Sequence, residues 1–123
     1  MGPDAMWWIR IAAVLGLLAV ALGAFGAHGL RGRISESALS AFHTGVLYHL
    51  VHAVALLALS LYARATQAVI TVPAALFTAG IVLFSGSLYV LSLTGAHKLG
   101  MVTPLGGLSF IAGWASLIFL VRS

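Results

Sequence analysis

The chain has 123 residues, 62% of them hydrophobic and only 7% charged, which excludes a water-soluble domain because a globule of this size leaves much of its chain wet. Its formal net charge of +4 comes from basic residues scattered one or two to a loop, so the dense basic face of a nucleic-acid site is excluded as well. Cysteine is absent, and with it any disulfide, thiol chemistry or cysteine-based metal site.

Four long apolar stretches fill almost the whole chain, at about residues 7–27, 37–62, 71–93 and 103–121. Each is close to or above the roughly 20 residues that a helix needs to cross the hydrocarbon core of a bilayer. Spanning segments are helices or strands of a closed barrel, and unbroken apolar runs without alternation exclude the barrel. The sequence therefore predicts an all-α, integral membrane, antiparallel four-helix bundle, with residues 1–123 forming a single transmembrane domain.

The first predicted helix begins at Trp7 and Trp8, which suit an aromatic belt at the membrane interface. The pair His28-Gly29 is typical of a helix end, because glycine takes the left-handed cap conformation and a histidine suits the negative end of the helix dipole. Small residues recur every three or four positions and predict a ridge that another helix can approach closely: Ala12, Gly16, Ala19, Gly23 and Gly26.

The second predicted helix holds two histidines one turn apart, His49 and His52, well inside the span. An ionisable side chain at that depth is a functional hypothesis by default. One face of the helix carries the small Gly45 and the phenol of Tyr48 together with His52, and His49 lies on the flank of that face. His43 points the opposite way, so the histidines are not predicted to form a single cluster.

The third predicted helix carries hydroxyl groups that include Ser85, with Tyr89 beside them. The pair Thr103-Pro104 is typical of an N-cap followed by a first-turn proline, and it predicts the start of the fourth helix. The fourth helix has a second ridge of small residues and, near its middle, a tryptophan whose N–H needs an acceptor: Gly106, Ser109, Gly113 and Ser116, with Trp114.

The polar residues of the spans predict one intramembrane cluster that faces the bundle interior, with His52 bonded to a partner from another helix: His28, Tyr48, His52, Ser85 and Tyr89. Three interpretations stay open. Such side chains commonly bridge helices in lipid by hydrogen bonds. They could also line a path for a proton or small solute, or hold haem or a quinone, since imidazole is a common axial ligand. The sequence itself requires no cofactor.

Enzyme chemistry is not supported. The two acids, Asp4 and Glu36, lie outside the predicted spans. The chain therefore lacks a carboxylate pair for acid–base catalysis, and it shows neither a usual metal-ligand spacing nor a glycine-rich phosphate loop. We predict no catalytic and no metal-binding residue.

Four motifs occur in order, one for each predicted helix. They are Gly23-Ala24-Phe25-Gly26-Ala27-His28-Gly29, then Phe42-His43-Thr44-Gly45-Val46-Leu47-Tyr48 leading to His52-Ala53, then Leu83-Phe84-Ser85-Gly86-Ser87-Leu88-Tyr89, and finally Thr103-Pro104-Leu105-Gly106-Gly107 with Gly113-Trp114. Over nearly the whole chain this set closely resembles the "domain of unknown function 423" family, the YgdD/YwdK-like bacterial proteins related to animal transmembrane protein 256.

The resemblance implies a small four-span membrane protein without an established biochemical activity. The motif residues that the resemblance carries over are His28, Tyr48, His52, Ser85, Tyr89, Thr103, Pro104, Gly106, Gly107 and Trp114. The further motif or packing residues are Gly23, Gly26, Gly45, Gly86 and Gly113.

The leading hypothesis for function is a non-catalytic subunit, or an assembly or stabilising partner, of a membrane complex, because the informative residues are packing residues. The alternatives are an oligomeric channel or transporter centred on His52 and a haem- or quinone-binding bundle. The two small-residue ridges exceed what one bundle is expected to use, so the chain is predicted to be a homo-oligomer or a subunit of a larger complex. Its predicted surroundings are the lipid bilayer of the bacterial inner (plasma) membrane, without nucleic acid.

Overall fold

A computed structural model describes residues 3–120 of the chain, and the side chains of residues 5–120. Over that range the backbone forms four long helices and no strand, which confirms the predicted all-α, antiparallel four-helix bundle. Helix α1 covers Pro3–Ala24 and continues through a π-helical turn at Phe25–Gly29, α2 covers Glu36–Thr66, α3 covers Thr71–Thr94, and α4 covers Thr103–Leu120 after a short 3-10 turn at His97–Met101.

The helix ends follow from local capping. Ser35 caps α2 by accepting a hydrogen bond from the backbone N–H of Ala38 at 3.0 Å. Gln67 and Gly95 end α2 and α3 in the left-handed conformation, with φ of 66° and 73°. The second helix is longer than predicted and runs on to Thr66, whereas the predicted end of the fourth span at residue 121 lies outside the described residues.

Thr103 does not have its predicted role as the N-cap of α4. Val102 occupies that place, because its carbonyl accepts the first hydrogen bonds of the helix, from the N–H groups of Leu105 and Gly106. The hydroxyl of Thr103 bonds instead to the hydroxyl of Ser87 on α3. The start of α4 is thus tied to the neighbouring helix rather than capped by its own side chain.

Helices α2 and α3 form the centre of the bundle, and α1 and α4 flank them. Within the apolar windows, 39% and 33% of the residues of the two central helices are buried, against 17% in each outer helix. Backbone contacts join α1 to α2, α2 to α3, and α3 to α4. A core of mutually packed side chains draws on all four helices and includes Ala12, Leu56, Phe77 and Phe110.

Most small residues of the α1 and α4 ridges pack inside the bundle, so less of each ridge is free for another subunit than expected, although a Cβ on Gly16 of α1 would meet nothing within 4 Å. Ala12 and Ala19 are buried where α1 lies along α2. A Cβ atom on Gly106 would overlap the backbone nitrogen of Phe84 on α3, and one on Gly113 would lie 2.7 Å from the ring of Phe77. These positions are occupied because each outer helix makes its close backbone contact through them.

Other motif glycines differ in their surroundings. Gly26 and Gly45 lie under aromatic rings, where an added Cβ would come within 2.9 Å of Phe42 and Tyr89, respectively. A Cβ on Gly86 would meet nothing within 4 Å, so no close contact in the described chain accounts for this glycine. The remaining motif glycines, Gly23 and Gly107, would place a Cβ 3.3 Å from Val46 and 3.9 Å from Phe84.

Helix α3 is interrupted by a π-helical turn at Ile81–Ser85, between α-helical segments at Thr71–Gly80 and Gly86–Thr94. Such turns insert one residue into an α-helical ladder and are frequent near functional sites. This turn carries Phe84 and Ser85, and both contact other helices at the positions described next.

Candidate functional site

His52 lies near the middle of α2 and is 4% exposed. Its Nδ1 atom is 2.8 Å from the backbone carbonyl oxygen of Tyr48, one turn earlier, and its Nε2 atom is 3.0 Å from the indole nitrogen of Trp114 on α4. A carbonyl can only accept and an indole N–H can only donate. We therefore assign the proton to Nδ1 and the lone pair to Nε2, so that the ring is neutral and both of its nitrogens are satisfied.

Aromatic rings enclose this imidazole. Phe110 of α4 stacks on it with a centroid separation of 3.7 Å and an angle of 13°, and Phe77 of α3 meets it edge-on at 5.4 Å. The ring of Tyr48 lies parallel to it at 6.3 Å. The stacking holds the imidazole in one orientation, and that orientation directs Nε2 at Trp114.

His49, three residues earlier, belongs to a second site on the neighbouring side of α2. It is 3% exposed, and its Nδ1 atom is 2.7 Å from the hydroxyl oxygen of Tyr89 on α3. Its Nε2 atom is buried without a hydrogen-bond partner in the described part of the chain. The carbonyl of Leu15 on α1 lies close to this ring, but no contact to Nε2 has the geometry of a hydrogen bond. His49 thus lies where α1, α2 and α3 meet.

Ser85 and Tyr89 of α3 meet α2 at this second site. The hydroxyl of Ser85 donates to the carbonyl oxygen of Gly45 at 2.7 Å. The ring of Tyr89 covers Gly45, where any side chain would collide with it. The lack of a side chain at Gly45 is therefore what lets α3 place both polar groups against α2.

The five residues predicted to form one cluster do not lie together. Tyr48 and His52 belong to one site, Ser85 and Tyr89 belong to the other, and His28 is exposed. Gly45 and His49 share one stripe of α2, and Tyr48 and His52 share the adjacent stripe, so the two pairs face different neighbours. The stripe with His49 meets Tyr89 of α3, and the stripe with His52 meets α4.

Two members of the predicted cluster do not face the interior. His28 is exposed, because Phe25 and Gly26 of the same π-helical turn already occupy the side that packs against Phe42. Tyr48 is 41% exposed, and its ring lies at the bundle surface against Phe84, with a centroid separation of 4.6 Å.

Sequence reasoning missed two parts of these sites. In the sequence, His49 is only a flanking residue. The hydroxyl of Tyr89 in the next span needs a hydrogen-bond partner, and that need could have indicated the pair. Phe110 stacks on His52 but is an ordinary apolar residue in the sequence, and no local signal distinguishes it. Trp114 carries the clearest signal, since an indole N–H inside a span needs an acceptor.

The polar side chains of the two sites form hydrogen bonds that join α2 to α3 and α2 to α4. In residues 5–120 no three histidines or acids converge as metal ligands. His52 does not fit an axial haem ligand, because Nε2 accepts from Trp114 and Nδ1 donates to the Tyr48 carbonyl.

A hydrogen bond outside these two sites joins α4 to α3. The hydroxyl of Ser109 on α4 donates to the carbonyl of Leu76 on α3 at 2.7 Å.

Comparisons with known proteins agree with the motifs. A family model described as "Protein of unknown function (DUF423)" matches residues 22–107. The UPF0382 membrane protein YwdK of Bacillus subtilis is 49% identical over 113 residues, which cover 90% of this chain and 92% of that protein. A UPF0382 membrane protein of Haemophilus influenzae is 38% identical over 112 residues, 91% of this chain and 90% of that protein.

A third relative, the UPF0382 membrane protein SAB0533 of Staphylococcus aureus, is 43% identical over 111 residues, 90% of this chain and 91% of that protein. No solved structure matches the chain. Membrane proteins thus match the chain over nearly their full length, and each of its four helices is long and apolar enough to cross a bilayer. The chain is an integral membrane protein and belongs to the DUF423 family of proteins of unknown function.

Proposed function

We propose that the protein is a non-catalytic subunit that stabilises or helps to assemble a membrane complex, in the inner membrane of a bacterium. The observation that carries this proposal is that five hydrogen bonds of polar side chains in the described residues join one helix to another. Both nitrogens of His52 are occupied, and among residues 5–120 the one acid, Glu36, lies at the start of α2 rather than inside the bundle.

Three of these connections join α2, α3 and α4 to one another. Trp114 links α4 to α2 through His52, and Tyr89 links α3 to α2 through His49. Ser109 links α4 to the carbonyl of Leu76 on α3. Each such bond in lipid contributes about 0.5–2 kcal/mol, so the set supports a rigid bundle that offers a fixed surface to a partner.

A partner would meet this surface inside the membrane. The segments between the helices are short, at residues 30–35, 67–70 and 95–102, and they leave little protein outside the bilayer for docking. The lipid-facing sides of the helices are therefore the surfaces on which a second copy or another membrane protein would bind.

A channel or transporter centred on His52 is less well supported. Its imidazole is 4% exposed and stacked on Phe110, and a proton relay would have to break both of its hydrogen bonds. The same bonds weigh against axial ligation of haem by this residue.

Photo-crosslinking from one position on each helix tests the proposal. Leu17, Val54, Val82 and Leu108 are 67%, 58%, 61% and 61% exposed, and each lies near the middle of its span. A photoreactive residue at each position in turn, in the full chain at native expression level, should give a protein adduct of one defined mass from one or two faces. The other faces serve as matched controls. Adducts to lipid alone from all four positions would show that the protein works without a partner.

A further inference from the structure

A groove opens toward lipid between α2 and α4, because these helices meet through long side chains rather than through their backbones. It consists of two cavities that share Trp114 as a common wall. The first has a volume of about 330 Å³ and is lined by Tyr48, Phe84, Gly107 and Phe110. The second has a volume of about 260 Å³ and an apolar lining that includes Ala55, Ala58, Leu117 and Leu120.

The first cavity lies near the middle of the three helices that line it, and hence near the middle of a bilayer that these helices span. The midpoint of α2 is residue 51, that of α3 falls between residues 82 and 83, and that of α4 falls between residues 111 and 112. Tyr48, Phe84 and Phe110 are each within three residues of these midpoints, or about 4.5 Å along a helix axis. From there the second cavity continues toward the end of the bundle at which α2 and α4 finish.

Tyr48 is out of place at this depth. Tyrosines of membrane proteins concentrate at the interface, where the ring is in lipid and the hydroxyl is in water. Tyr48 is 41% exposed at the bilayer centre, and within residues 5–120 its hydroxyl has no hydrogen-bond partner, since His52 engages only its backbone carbonyl. A hydroxyl in hydrocarbon without a partner is costly. The position therefore calls for an acceptor that arrives from outside the bundle.

The walls of the first cavity are held by close packing and do not depend on a ligand for their shape. The ring of Phe110 lies in contact with Gly80 and with the imidazole of His52, and the backbone of Phe84 lies against Gly106. The open side is at Gly107, where an added Cβ would meet only the Phe84 ring, at 3.9 Å. The cavity is thus an aromatic slot with one free hydrogen-bond donor.

We propose that the groove binds an isoprenoid quinone. The planar ring lies among the aromatic side chains of the first cavity, one ring carbonyl accepts a hydrogen bond from the Tyr48 hydroxyl, and the prenyl tail follows the apolar second cavity past Trp114. A quinone carbonyl supplies the acceptor that the Tyr48 hydroxyl lacks, at the same depth in the bilayer. The charged headgroup of a phospholipid stays at the interface, and the backbone carbonyls of a partner helix are already used within that helix.

Fluorescence of Trp114 provides the test, because this indole forms a wall of both cavities. The chain has three tryptophans, and Trp7→Phe with Trp8→Phe leaves Trp114 as the only one. The full-length variant in phosphatidylcholine nanodiscs is titrated with decylubiquinone, whose ring quenches indole fluorescence on contact. We expect saturable quenching. Adding Tyr48→Phe should weaken the affinity about 3- to 10-fold, the effect of one hydrogen bond.

Two further variants locate the site. Gly107→Leu should fill the first cavity and abolish saturable quenching. Tyr89→Phe is the matched control, because it removes a tyrosine hydroxyl on the other side of α2, outside both cavities, and should leave the affinity unchanged. Since the Tyr48 hydroxyl bonds to no described group, Tyr48→Phe should also leave the melting temperature unchanged, which separates a binding effect from a folding defect.

Quenching that rises in proportion to the quinone content of the nanodisc, without saturation, would mean simple partition into lipid and would overturn the proposal. Equal affinities for the wild-type tyrosine and Tyr48→Phe would overturn it as well. If Gly107→Leu lowers the melting temperature, the decision rests on Tyr48→Phe, which removes one atom and leaves the packing in place.

Discussion

Helix α4 meets its two neighbours in different ways. Against α3, glycines bring the two backbones together, and Gly106 leaves no room for even one methyl group beside Phe84. Against α2, the contact is made by rings, with Trp114 bonded to His52 and Phe110 stacked on it. The first contact is continuous and the second leaves a groove. Backbone-to-backbone packing therefore fixes the position of α4, whereas side-chain packing leaves space that something else can occupy.

The largest expected effect comes from placing a methyl group in the continuous contact. Gly106→Ala should lower the free energy of unfolding by about 2–3 kcal/mol, because the new Cβ meets the backbone of Phe84, which cannot rotate away. The neighbouring Gly107→Ala is the matched control and should cost less than about 0.5 kcal/mol. Unfolding of both variants in mixed micelles gives the two values, and equal losses would contradict the close contact.

Removing the acceptor at the ring-mediated contact should have a smaller effect. His52→Leu should cost about 1–2 kcal/mol, because it leaves the Trp114 N–H without a partner. His52→Gln keeps an acceptor oxygen near Nε2 and should retain most of the stability. Thermal unfolding of both variants in the same detergent tests the pair, and identical melting temperatures for wild type and both variants would rule out the hydrogen bond as a source of stability.

The other side of α2 offers a third comparison. Tyr89→Phe removes the hydroxyl that bonds to Nδ1 of His49 and should cost about 1 kcal/mol. Tyr62→Phe removes an α2 hydroxyl at the end of the groove and should cost close to nothing. A stability loss in Tyr62→Phe as large as in Tyr89→Phe would mean that the His49–Tyr89 bond is not special.

The smallest effect is expected at Tyr48, next to the groove. Tyr48→Phe should change the free energy of unfolding by less than about 0.5 kcal/mol in quinone-free detergent, because the hydroxyl has no partner in the described chain to lose. A loss above about 1 kcal/mol in the same unfolding experiment would show that the hydroxyl already has a partner in the bundle.

The sequence was sufficient for the four helices and the family, because apolar runs and short motifs are local signals. It also showed that Trp114 needs an acceptor and that His52 needs a partner. It could not show that Trp114 and His52 bond to each other, since this bond depends on how α2 and α4 are rotated about their axes. Tyr48 shows the same limit: a helical wheel places it on the face of His52, but not at the lipid-facing edge of that face.

The small-residue ridges teach a related lesson. Residues such as Gly106 and Gly113 indicate that some helix comes close, but they do not say whether it belongs to the same chain. The structure assigns both glycines to α3, through the backbone of Phe84 and the ring of Phe77. Counting ridges in a sequence therefore does not tell how much surface is left for other subunits.

The π-helical turn at Ile81–Ser85 constrains the number of residues in α3 as well as their types. One inserted residue rotates everything beyond it by about 100° relative to an uninterrupted α-helix. The first half of α3 can thus offer the Leu76 carbonyl to Ser109, while the second half turns Ser85 and Tyr89 toward α2. Deleting a single residue from this turn would restore regular helix but misdirect every later side chain of α3. In the third span, the deletion or insertion of one residue should therefore disturb the fold more than most substitutions do.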